Sequence, residues 1–165
     1  MIIDSQIYSL ITVLITITVL MALIFRSLSV GKINALPVFI AVLFNFAIMW
    51  LFNVSLNIGT SIIASVGMGV GIDYSIHYFT RFRRILSSGE GYDKALIKAI
   101  AETSRAILSN ATAVGIGFLV LLFSEYLVIA SFGWIVAISM FTTALGSLLV
   151  LPALLSIFRP AIKLK

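Results

Sequence analysis

The sequence contains no cysteine and a single histidine. The first absence excludes disulfides and thiolate metal sites, and the second, with so few other ligands, argues against a metal cluster. Charge is scarce as well: only 10% of the 165 residues are Asp, Glu, Lys or Arg, while 61% are hydrophobic. Soluble domains carry about 25% charged and about 45–50% apolar residues. No polar segment is long enough for a soluble domain of ordinary size, and the apolar runs fill most of the chain. A cleaved signal peptide does not account for them. An enzyme's constellation is missing too. Without a cysteine nucleophile, a metal set or a Ser, His and acid pattern, the many serines in the apolar runs read as helix hydrogen-bonders.

What is present is a series of membrane-length runs. Five spans can be read, about 7–25, 35–52, 58–79, 107–123 and 127–158, near or above the roughly 18 apolar residues that cross a bilayer. The expected fold is all-α: one polytopic transmembrane helix bundle occupying residues 1–165. The last run exceeds one span, so its first residues are expected along the outer interface, with Pro152 kinking or ending the membrane portion. The net charge of +5 could suggest nucleic acid, but its placement argues for topology instead. Arg26 and Lys32 lie between spans one and two, Arg81, Arg83, Arg84, Lys94, Lys98 and Arg105 between three and four, and Arg159, Lys163 and Lys165 after span five. All basic residues thus fall on one side, which places the N-terminus outside and the C-terminus in the cytoplasm of a multi-pass cell-membrane protein. The polar stretch at about 90–105 repeats Ala95, Leu96, Ala99 and Ile100 at helical spacing. It predicts a short cytoplasmic connector helix, either a lever between spans three and four or a solvated link.

One charge does not fit a topological role. Asp73 is about 12 Å along a helix from Arg81, well inside a hydrocarbon layer about 30 Å thick. A carboxylate there is penalised by roughly 2.5 kcal/mol or more, so it is expected to face protein or a wet cavity and to favour its neutral form. A group that gains and loses a proton in the membrane suits an ion-coupled transporter; the bland alternative is a fixed acid that ties helices together. His77 follows one turn later on the same face, either extending a proton path or sitting as an amphipathic ring near the interface. Tyr74 and Tyr78 repeat that spacing on an adjacent face, where packing is the simpler role. Upstream, GMGVG lacks the full dinucleotide fingerprint and strand context, so Gly67 and Gly71 read as a small-xxx-small packing face. Asn110 and Thr112 in span four are possible polar partners for the Asp73 region, although ordinary interhelical packing explains them equally.

Taken together, FRS at 25–27, Pro37, GMGVGIDYSIHYFTRFRR at 67–84 and LPALL at 151–155 resemble the resistance-nodulation-division (RND) superfamily of transporters. The likeness is to the MMPL branch, which includes mycobacterial large membrane proteins, hopanoid exporters and Patched-like proteins. It covers essentially the whole chain. It implies that the spans correspond to helices two to six, or eight to twelve, of a protein with two six-helix halves. A fragment or half-transporter is therefore expected, with a second half or another copy of the chain as partner, together with membrane lipid. The resemblance further implies that Asp73 couples the proton-motive force to export of lipids or other hydrophobic small molecules, with no cofactor beyond the coupling proton. It gives Tyr74 a possible role in pairing with the acid of the other half. Two other readings share the helical plan: a sterol-sensing-like regulatory or interaction module, and an accessory subunit of Sec-type translocation.

Overall fold

A computed structural model describes the backbone of residues 2–54 and 58–160 and the side chains of residues 7–54 and 69–160. Its helices, in chain order, are α1 (Ile2–Phe25), α2 (Leu28–Leu51), α3 (Ile58–Ser87), α4 (Tyr92–Leu119), α5 (Leu127–Leu145) and α6 (Leu151–Phe158). A 3₁₀ turn, Val120–Phe123, follows α4, and a π-helical turn, Gly146–Val150, carries α5 into α6 without a break. No strand occurs among the described residues, as expected where a bilayer leaves no water to satisfy open backbone groups. The runs Ile7–Phe25, Leu28–Leu51, Tyr92–Phe123 and Leu127–Phe158 are each long and apolar enough to cross a membrane. Helix α3, about 45 Å long, packs among them against α2, α4 and α5. The chain is a multi-pass membrane protein with an all-α transmembrane bundle.

Local sequence explains the helix ends. Arg26 adopts a left-handed conformation at φ 51°, and Ser27 caps α2 by accepting a hydrogen bond from the Val30 amide. That cap starts α2 at Leu28, seven residues before the expected start of span two, because Lys32 is accommodated within the helix at its charged end. Gly89, at φ 90°, makes the turn between α3 and α4. One further expectation is corrected here: the connector helix expected at 90–105 is no separate element, and helix α3 runs on past the expected span to Ser87. Nothing between Ala99 and Ile107 breaks a helix, so connector and span four form one rod, α4. Pro152 does not end the helical run; it sits in the first turn of α6, directly after the π-turn.

The run formed by α5 and α6 is the axis of the bundle, with 61% of its most apolar window buried, whereas the window in α1 is 11% buried on the rim. Both α2 and α3 pack against α5, α4 packs against α3 and α5, and α1 rests mainly on α2. Small residues permit the closest approaches. Gly71 on α3 is buried so tightly that a Cβ there would lie 2.8 Å from Thr143 Cγ2 on α5. A seam of buried polar side chains follows the axis: Asn45 Nδ2 donates to Ser139 Oγ at 2.8 Å, and the Ser75 and Ser147 hydroxyls are 3.1 Å apart. At the end of the bundle that carries the basic residues, Phe25, Phe79, Phe82 and Tyr92 form edge-to-face contacts, with centroids 4.6–6.0 Å apart.

Candidate functional site

The middle of α3 supplies the site. Successive turns place Asp73, His77 and Arg81 along one face, and that face is turned away from α5. Tyr74, Ser75, Tyr78 and Phe79 take the buried positions, with Tyr74 1% and Tyr78 0% exposed. Asp73 and His77 are exposed. The expectation that Asp73 faces protein or a wet cavity is not met within this chain: its carboxylate lies on the open flank of the bundle, halfway along α3. The reason is rotational. Gly71 must meet Thr143 and the large aromatic rings must be buried, and these demands fix the angle of α3 and leave Asp73 outward.

Between α3 and α4 lies a cavity of about 310 Å³. It is lined by Tyr74, His77, Glu102, Thr103, Ala106, Ile107 and Asn110. The two helices are antiparallel, so Asn110 comes level with Tyr74, and its Nδ2 donates to the Tyr74 hydroxyl at 3.4 Å. One turn towards the basic end, the short side chains of Thr103 and Ala106 leave room for the imidazole of His77. At the basic end of the cavity, Arg81 Nε donates to Glu102 Oε2 in an ion pair. Two further ion pairs lie at the basic end: Lys98 with Glu90 at 3.3 Å, and Arg159 with Asp93 through both carboxylate oxygens at 2.9 and 3.0 Å.

The structure therefore brings Tyr74, His77 and Asn110 together, while Asp73, the residue before Tyr74, is not part of the lining. Thr112 is exposed and does not line the cavity. Gly71 packs against α5, and the side-chain surroundings of Gly67 lie outside the described residues. Sequence reasoning missed Glu102, which it assigned to a solvated connector, and Arg81, which it explained by topology alone. A signal was present: Glu102, Ala106 and Asn110 recur every four residues and share one face once α4 is a single helix. No group of three or more potential metal-binding His, Cys, Asp or Glu side chains occurs among the described residues.

Chemically, the arrangement can hold and move protons. An imidazole, a phenol and an amide line a cavity large enough for several water molecules, and the Asp73 carboxylate lies outside that lining on the same helix. Comparison with known proteins gives these features a family setting. Residues 3–162 match the MMPL family. The chain is 31% identical to the protein MJ1562 of Methanocaldococcus jannaschii over 154 residues, 93% of this chain and 40% of that protein. It is 32% identical over 106 residues to the hopanoid transporter HpnN of Burkholderia multivorans, 64% of this chain and 12% of the transporter. With the sulfolipid-1 exporter MmpL8 of Mycobacterium tuberculosis it shares 31% identity over 97 residues, 58% of this chain and 9% of the exporter. The chain spans well under half the length of each of these relatives.

Proposed function

The chain belongs to the MMPL family of membrane transporters, and from that premise we propose that it is the transmembrane portion of a proton-motive-force-driven exporter of lipids or other hydrophobic molecules. Asp73 carries the coupling proton, and the basic end of the bundle lies in the cytoplasm. The observation that carries this reading is the position of Asp73, halfway along α3 and exposed on the flank of the bundle, next in sequence to Tyr74 of the cavity lining. A carboxylate in that position meets acyl chains unless something covers it, at a penalty of about 2.5–3.5 kcal/mol on insertion scales. A second transporter half, or a second copy of this chain, packs over the α3 and α4 flank and takes Asp73 out of lipid. Transporters built from parallel repeats about an axis along the membrane normal supply a precedent for that geometry.

The mechanism follows from the two states of one side chain. Ionised, Asp73 only accepts hydrogen bonds and favours a hydrated or cation-facing position. Protonated, it is neutral and can donate, so it tolerates closer packing against the covering half. Each cycle of protonation thus shifts α3 and α4 relative to their partner, and the complete protein converts that shift into movement of substrate. The names of two relatives, a sulfolipid-1 exporter and a hopanoid transporter, support the substrate class. The test is Asp73→Asn in the complete protein in native membranes. Proton-coupled export is lost while insertion and abundance are unchanged. Export that persists with its pH dependence intact refutes the coupling role, and lipid binding that survives the change without any pH dependence supports a sterol-sensing-like module instead.

A further inference from the structure

The cavity between α3 and α4 has an asymmetry that its lining residues make legible. On the flank of the bundle it opens towards the membrane, where acyl chains or a covering helix bring no water. Beyond Asn110 towards the far end, α4 continues as an apolar helix through Val114 and Phe118. Water and protons therefore reach the cavity from the basic end, where Glu102 is ion-paired with Arg81. The pair is partly exposed, with side chains 38% and 31% accessible, and Glu102 also lines the cavity.

We propose that this cavity is the cytoplasmic proton-access site for Asp73, and that Glu102 is its outermost proton-exchanging residue, held across the mouth by Arg81. This rests on the reading that Asp73 carries the coupling proton. When Glu102 leaves Arg81, water fills the space beside Thr103 and Ala106. A proton released at Asp73 passes by water to the imidazole of His77, then by water to the Glu102 carboxylate, and from there to the cytoplasm; each carrier returns to its starting protonation state. The charged and titratable groups facing Glu102 are Arg81 and His77 on α3, and on α4 Arg105 one turn above and Lys98 one turn below, the latter engaged by Glu90. Among the described residues, α5 and α6 place no ionisable side chain in the cavity lining. The Tyr74 hydroxyl and Asn110 close the inner end.

The absence of cysteine makes the test clean. A single cysteine at Ala106, Ala106→Cys, is exposed to a small charged methanethiosulfonate applied to the basic-end side of sealed vesicles, with Ser88→Cys in the exposed turn as a control for sidedness. Ala106→Cys is expected to react from that side only. Adding Glu102→Gln, which weakens an ion pair worth up to about 1 kcal/mol, is expected to speed the reaction about threefold to fivefold. Glu102→Asp restores the slow rate. A cysteine at 106 that is inert while the control reacts, or a rate indifferent to Glu102, overturns the proposal. Asp73→Asn leaves the labelling pattern unchanged, so loss of coupling in that variant and loss of access at Glu102 are separate results.

Discussion

Replacement of Gly71 by alanine tests how α3 is set against the axis of the bundle, and through it the placement of Asp73 two residues later. The added methyl would lie 2.8 Å from Thr143 Cγ2 and 3.0 Å from Thr143 Cβ, with Val38 Cγ1 at 3.5 Å. Carbon atoms prefer a separation of about 3.5–4.0 Å, so α3 and α5 must part by roughly 0.7 Å or more, or Thr143 must move. Thr143 has little freedom: it is 1% exposed, and its hydroxyl is bound to the carbonyls of Ser139 and Met140 on its own helix. Overpacking of this kind costs about 1–3 kcal/mol, while exchanging glycine for alanine within a helix returns about 1 kcal/mol. The expected result is a net loss of about 0–2 kcal/mol in Gly71→Ala. Thr143→Ala removes the opposing methyl, so the double variant should recover the loss and show a coupling energy of about 1–3 kcal/mol. Unfolding midpoints of the four proteins in one lipid mixture measure the cycle. Additive effects of the two changes would refute the claim that this contact sets the α3 to α5 distance.

Other changes probe the polar seam and the basic-end clasp. Ser139→Ala removes the partner of Asn45 Nδ2 and leaves a buried amide whose Oδ1 already has no protein partner; a loss of about 1–2 kcal/mol is expected from unfolding midpoints. Arg159→Ala breaks an ion pair whose side chains are 58% and 67% accessible, so its effect should stay below about 1 kcal/mol. Tyr92→Ala should cost about 3 kcal/mol or more in the same unfolding assay, since it removes both the hydroxyl bond to the Leu155 carbonyl at 2.9 Å and the ring packed on Phe82. An Arg159→Ala effect as large as that of Tyr92→Ala would show that charge, and not packing, holds α4 to α6.

The membrane class, the helical fold and the unusual character of Asp73 were all legible in the sequence. Apolar runs of spanning length cannot satisfy their backbone in lipid except as helices, and an acid eight residues inside the basic flank of such a run has no surface to occupy. Helix ends were less legible. Polar residues such as Lys32, Glu102 and Arg105 looked like loop or connector, yet they lie on helices that project beyond the apolar layer, because nothing local breaks the backbone there.

Only the tertiary structure decided which way each helix faces. In water an apolar stripe marks the buried side, but lipid is as apolar as the core, and a membrane helix that is hydrophobic all round gives no such mark. The rotation of α3 follows from the fit of Gly71 to Thr143 and of the aromatic rings at 74, 78, 79 and 82 into the bundle, contacts made with residues far along the chain. That rotation turns Asp73 outward. The pairing of Arg81 with Glu102, 21 residues apart, likewise depends on the register of two antiparallel helices. The sequence determined that a carboxyl group lies within an apolar run; the packing determined which side of the bundle it faces.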